Sequence, residues 1–158
     1  ERGLGPAKAV KLVAALELGR RVAQLAPEDR PQVRTPEDLA QLFVPRLTSI
    51  DHEQLWVAVL DTKHQLERMQ AIYRGSVNSA QVRIAEIFRE AIRSNAPAIA
   101  IAHNHPSGDP TPSADDIALT ADLAQAAKLL DIDLLDHLII GDGRWLSLRR
   151  LRLGFTTD

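Results

Sequence analysis

Apolar residues recur along this chain with two different periods, and the places where one gives way to the other divide it into elements. Val10, Val13, Ala14, Leu16 and Leu18 follow Gly3-Leu4-Gly5 and Pro6, and predict a helix from Pro6 to about Ala26. Thr35-Pro36-Glu37-Asp38 reads as a second helix start, with a Thr cap, Pro at the first position and acids at the positive end. Pro45 is expected to kink or end that helix. Leu55, Val57 and Val59 then alternate, which predicts a strand from about Glu53 to Leu60. Asp61-Thr62-Lys63-His64 reads as a turn and Leu66 to Arg74 as the returning strand. Between Ser79 and Ser94 the period is helical again, with Ile84, Ile87, Phe88, Ala91 and Ile92 on one face. Pro97 to Ala102 reads as a buried strand, residues 113–130 as a helix and Ile132 to Ile140 as another strand. Gly141-Asp142-Gly143 marks a tight turn and Trp145 to Leu148 a last strand. The sum is a mixed α+β domain over residues 35–158, with a helical segment at 1–26 and a Pro-containing linker at 27–34.

Composition narrows the class. The 158 residues are enough for one domain with a real core, and 45% of them are hydrophobic. No apolar run approaches the length of a membrane span, and no secretory signal stands at the N-terminus. The first residue is Glu1 and not Met, which reads as a trimmed chain. The absence of cysteine excludes disulfides, thiolate zinc sites, iron–sulfur clusters, cysteine nucleophiles and the zinc-deaminase pattern. It fits a reducing cytoplasm, the expected location. Net charge is only −2, so the whole chain is not an electrostatic nucleic-acid binder. Residues 1–26 differ: Arg2, Lys8, Lys11, Arg20 and Arg21 against Glu1 and Glu17 leave +3.

The chemistry concentrates in His103-Asn104-His105-Pro106-Ser107-Gly108 and Ser113-Ala114-Asp115-Asp116. Residues i and i+2 leaving a strand share a face, so His103 and His105 can chelate one ion. An acid at the start of the following helix supplies a third ligand, and a fourth position stays open, as in catalytic zinc sites. Ser113 and Asp116 also have the spacing of a capping box, a purely structural role that does not exclude ligation. Asp115 competes with Asp116, and spacing alone does not separate them. The proline-rich loop between the ligands is stiff, which suits a reactive site and equally a plain turn.

Water on such an ion needs a base nearby. Glu53 opens a strand whose 55, 57, 59 face is apolar, while Glu86 stands three residues before Arg89 and suits a solvated ion pair. His137 lies in a buried-looking strand, as a core residue or behind a metal ligand. His52 and His64 read as loop residues.

The stretch from His103 to Asp116 resembles the RadC family, a bacterial branch of the JAMM (MPN-plus) metalloprotease-like domains. The general pattern is an upstream Glu, then His-x-His-Pro, then Ser-x-x-Asp, and Ser113 follows Pro106 by seven residues in that register. The register favours Asp116. Val57 to Lys63, Arg74-Gly75-Ser76-Val77-Asn78-Ser79 and Leu135 to Gly143 resemble further family segments. Gly3 to Ala9 and Ala15 to Arg21 look like the second half of a helix-hairpin-helix module. Val82-Arg83-Ile84-Ala85-Glu86-Ile87-Phe88 departs from the usual Val-His-Pro-Arg-Glu-Ile-Phe. The resemblance implies a cytidine-deaminase-like JAMM (MPN) architecture, a mixed sheet sandwiched by helices. It implies zinc held by His103, His105 and Asp116 with water as fourth ligand, Ser113 assisting the oxyanion and Glu53 as base.

The expected function is a zinc-dependent metallopeptidase-type hydrolase acting on a protein or peptide substrate. Two other classes compete with it. One is a DNA-associated interaction module, contacting phosphates through the N-terminal segment. The other is different metal chemistry, either phosphodiester cleavage or a non-haem Fe(II) site, which two histidines and a carboxylate also suit.

Overall fold

A computed structural model of the chain describes residues 5–24, 30–75 and 82–155. The chain divides into two compact units, residues 1–30 and 31–158. The first contains helix α1, Pro6–Gln24. Pro6 takes the first helical position, where a missing N–H costs nothing, and the Gly5 carbonyl accepts from the N–H groups of Lys8 and Ala9. The expected extension to Ala26 lies outside the described residues.

The second unit begins at Pro31, four residues ahead of the expected start at 35. The reason is local: Gln32 bridges Gln65, the Val33 N–H donates to the His64 carbonyl, and Val33 is buried. Helix α2, Pro36–Leu47, opens with the expected Thr35 cap, completed into a capping box by Asp38. Pro45 does not end it. The helix runs on to Leu47, because Phe43 and Leu47 are fully buried and their packing outweighs one lost backbone bond. The Arg46 guanidinium and the Thr48 N–H satisfy the Leu42 and Val44 carbonyls at its end.

Strands β1 (Gln54–Leu60), β2 (Leu66–Arg74), β3 (Ala98–Asn104), β4 (Asp133–Gly141) and β5 (Arg144–Ser147) form one sheet in the order β2-β1-β3-β4-β5. All neighbours are antiparallel except β3 and β4, which are parallel and joined through helix α4, Ala114–Leu130. Helix α3, Ile84–Ser94, starts later than the expected Ser79; residues 79–81 lie outside the described residues, and Val82 and Arg83 are not helical. Its cap residue Arg83 has no side-chain bond to the helix end. The final strand begins and ends one residue earlier than expected, because Ser147 caps a one-turn helix, α5, Leu148–Leu151, whose Leu148 is buried.

Central strand β3 is buried throughout and sorts its side chains by period 2. Ala98, Ala100 and Ala102 pack in one cluster with α2; Ile99 and Ile101 pack in the other with α3 and α4. That alternation places His103 on the α3/α4 face and Asn104 on the α2 face. The architecture is the expected mixed sheet with helices on both faces.

Candidate metal centre

The site forms where β3 runs out against the start of α4. His103, His105 and Asp116 each offer one donor atom, and these atoms all lie within 4.8 Å of one another. His103 Nε2 is 3.0 Å from His105 Nε2 and 3.0 Å from Asp116 Oδ1, while His105 Nε2 is 3.5 Å from Asp116 Oδ2. His103 and Asp116 are buried and the His105 side chain is 16% exposed, so among the three it is His105 that meets solvent.

Each ligand candidate is held by named groups. His105 continues the parallel ladder, its N–H donating to the Ile140 carbonyl. Its Nδ1 is 2.8 Å from the Asp109 carbonyl oxygen, which can only accept. Nδ1 therefore carries a proton, and whenever the ring is neutral its Nε2 presents a lone pair to the cluster. The loop that supplies this carbonyl is fixed by an Asx turn, with Thr111 donating through N–H and hydroxyl to Asp109 Oδ1. Gly108 sits at φ +81°, a conformation that favours glycine, and Arg144 donates to its carbonyl. The loop lies so close to Gly141 that a Cβ there would come 2.6 Å from Gly108 O and 2.8 Å from Pro110 N.

Asp116 is both helix cap and candidate ligand. Ser113 donates to Asp116 Oδ2 through its N–H at 2.7 Å and its hydroxyl at 2.6 Å, and the Asp116 N–H returns a bond to Ser113 Oγ. Oδ2 is thus occupied by the capping box while Oδ1 faces His103. Asp115 is exposed and outside the cluster. Burial pushes the Asp116 carboxyl up, but bonds with His103, His105 and Ser113 outweigh it and hold the group far below the usual carboxylate range. The His105 pKa is raised, first by its bond to Asp116, against burial, with smaller contributions from the Asp109 carbonyl and the charges of Asp116 and Glu53.

Behind the cluster, His103 Nδ1 is 2.8 Å from His137 Nε2, and His137 Nδ1 is 2.7 Å from Thr120 Oγ1. His137 faces the site because β4 carries a bulge: Ile99 pairs with Leu134 but Ile101 with His137, so two β3 residues span three on β4. The bulge is pinned by buried Asp136, which accepts from the His137 N–H, the Ser147 hydroxyl and the Arg149 N–H. Arg149 also donates to the Leu134 and Leu135 carbonyls. Burial pushes the Asp136 carboxyl up in spite of these donors.

The other sequence candidates separate. Glu53 is half-buried beside the end of β1, where continuing the register Leu55↔His103 sets it across from His105. The buried Asn104 side chain ties this segment down, accepting from the Gln54 N–H and donating to the Ile50 and His52 carbonyls. Glu86 forms exposed ion pairs with Arg83 and Arg89 and is not in the cluster. His52 and His64 lie in loops. Asn104 and Thr120 were missed in the sequence. The signal for Thr120 was its place four residues after Asp116, a hydroxyl on the helix face that Leu119, Leu123 and Ala127 bury.

A cavity of about 360 Å³ adjoins the loop and shares His105 as part of its wall, together with Thr48, Ile50, Asn104, Ser107 and Arg144. Two imidazoles and a carboxylate facing one another at such distances are a donor set for a divalent cation. The residues present fit a metal.

Residues 33–153 match the family profile described as the RadC-like JAB domain. A UPF0758 protein of Roseiflexus castenholzii is 51% identical over 154 residues, 98% of this chain and 66% of that protein. One of Chloroflexus aurantiacus is 50% identical over 153 residues, covering 97% and 67%. One of Desulforamulus reducens is 46% identical over 148 residues, covering 94% and 65%. The chain thus spans about two thirds of the length of the curated relatives it matches.

Proposed function

The chain belongs to the RadC-like JAB domain family, and from that premise we propose that it is a zinc-dependent hydrolase of the metallopeptidase type, cleaving a peptide or isopeptide bond. The observation that carries the reading is the convergence of His103, His105 and Asp116 at one end of the sheet, with the ring of His105 held so that its lone pair faces inward. Zinc held there by His103, His105 and Asp116 would supply a Lewis acid and the activation of water.

The chain's own residues do the rest. Glu53, across from His105, takes the proton from water and returns it to the leaving amine. The Ser113 hydroxyl serves the developing oxyanion. In the present arrangement that hydroxyl donates to Asp116, so this role requires it to turn from the carboxylate towards substrate. The cavity beside His105 gives a substrate segment room to lie against the site. Cytoplasmic action is part of this reading, supported by the cysteine-free composition.

Element-specific metal analysis of protein purified without added metal tests the centre. Stoichiometric zinc in the parent and its loss in His103→Ala are expected. Iron in place of zinc would redirect the reading to Fe(II) chemistry, and absence of any metal would end it. Glu53→Gln should abolish cleavage of peptide and isopeptide probes while metal content stays at the parent value. Loss of metal in that variant would make Glu53 a ligand, and turnover of a phosphodiester probe alone would move the chemistry to another bond. DNA contact through residues 1–26 is a separate part of the proposal, supported by their +3 balance. A salt titration of DNA binding, with and without residues 1–30, tests it, and no affinity at low salt removes it.

A further inference from the structure

We propose that the Thr120 hydroxyl is a positioning group that, through His137, makes the metal-ready tautomer of His103 available. The inference rests on the metal-site reading above and extends it to two residues outside the ligand set. Thr120 and His137 are fully buried and His103 is 1% exposed, so no solvent competes for their bonds.

With both imidazoles neutral, three groups in line admit only two fully bonded proton arrangements. Thr120 Oγ1 lies 2.7 Å from His137 Nδ1 and 2.6 Å from the Asp116 carbonyl oxygen. A hydroxyl has one proton to donate and lone pairs to accept with. If it donates to His137 Nδ1, the neutral His137 ring is protonated at Nε2 and donates to His103 Nδ1 across 2.8 Å. His103 then carries its own proton on Nε2, pointing at Asp116 and blocking ligation. If Thr120 instead donates to the Asp116 carbonyl, its lone pair accepts from an Nδ1–H on His137. The His137 Nε2 lone pair then accepts from an Nδ1–H on His103, and His103 Nε2 is free to bind a cation. Both arrangements hold three protons on the three groups, so the choice between them is tautomeric and no ring changes charge.

The Asp116 carbonyl is what permits the second arrangement, because it gives the hydroxyl another place to donate. Asp136 serves the same end from the other side, since the bulge it pins is what turns His137 towards His103. Fixing the tautomer of a ligand imidazole through its second nitrogen is a general device of metal sites. Here the device ends in a hydroxyl and a backbone carbonyl of the helix that also carries the carboxylate ligand.

Thr120→Val keeps the shape and removes the hydroxyl. The metal-ready arrangement then leaves a buried Nδ1–H on His137 without an acceptor, so the blocking arrangement gains. Two readouts test this. Zinc affinity, measured by competition with a chromophoric chelator, should fall roughly tenfold or more in Thr120→Val and stay within about twofold of the parent in Thr120→Ser. Nitrogen-15 NMR of the imidazoles should show His103 and His137 both protonated at Nδ1 in the zinc-loaded parent. In metal-free protein well above the imidazole range, the Nδ1–H fraction of His137 should be lower in Thr120→Val than in the parent. A zinc-loaded parent with His137 protonated at Nε2 overturns the relay. So does Thr120→Val with parent-like zinc affinity, or with weakened affinity and unchanged tautomers. If the parent binds no metal, the functional reading fails separately, and the metal-free spectra alone decide the relay: a lower fraction in Thr120→Val supports it, an unchanged one overturns it.

Discussion

Asp116 is one residue doing two jobs, and its two oxygens divide them: Oδ2 closes the capping box with Ser113, Oδ1 faces His103. The sign of its titration follows. In the metal-free protein a depressed carboxyl contributes stability above its ordinary pKa, and that contribution is lost as pH falls through the folded value. The raised His105 works the other way: its contribution is complete below the ordinary imidazole value and disappears as pH rises through the folded one. The pair should therefore stabilise metal-free protein most between about pH 4 and pH 6.5. Urea unfolding with chelator present should show stability declining on the alkaline side of that window, and His105→Gln should flatten the decline; parallel curves for the two proteins would remove the pair as its cause. Gly141 acts on the same imidazole from outside the motif. Gly141→Ala would drive Gly108 and Pro110 away and shift the Asp109 carbonyl that orients His105. Metal affinity should drop roughly tenfold, read by chelator competition, although no ligand has been touched.

At the scale of elements, the helix starts differ in how well they are capped. Helices α2 and α4 open with complete capping boxes, Thr35 with Asp38 and Ser113 with Asp116. Helix α3 opens on Arg83 with no side-chain cap, although Glu86 already stands at the third helical position. Arg83→Ser supplies the missing hydroxyl, and chemical denaturation should show a gain of about 1 kcal/mol. A null result would mean that the backbone around residue 83 does not let a short side chain reach the helix. Legibility in the sequence follows the same division. The alternation of Leu55, Val57 and Val59 predicts β1 because a pleat turns every second side chain to one face, and the short apolar run of β3 predicts a strand because a central strand is covered on both faces. Pro45 does not end its helix, the stronger of its two expected effects, because the buried Phe43 and Leu47 hold the last turn in place. The turn of α5 was missed for a related reason. Its cap, Ser147, is recognisable only once Asp136 and buried Leu148 are seen to hold that segment against β4.

For the whole molecule, the division at residue 30 makes a prediction of its own. A chain of residues 31–158 contains the entire sheet, both core clusters and the three ligand candidates. It should fold cooperatively and take up zinc with the affinity of the full chain; a failure to fold would show that residues 1–30 are needed for stability. Bound metal should couple to folding throughout this unit, since a ligand that binds only the folded state at a hundredfold its Kd adds about 2.7 kcal/mol. The spacing from His103 to Asp116 was sufficient by itself to nominate the ligands and the helix cap, because two residues along a strand and a capping box along a helix are local geometry that sequence encodes directly. The chain order could not say that a bulge between Leu134 and His137 would turn a strand histidine towards His103. Nor could it say that Thr120, Asn104 and Gly141 would bear on the same site. Those relations join residues far apart in the chain, and only the folded sheet makes them: the pairing of β3 with β4 and the packing of α4 for His137 and Thr120, the bonds to residues 50–54 for Asn104, and the close approach to Gly108 for Gly141.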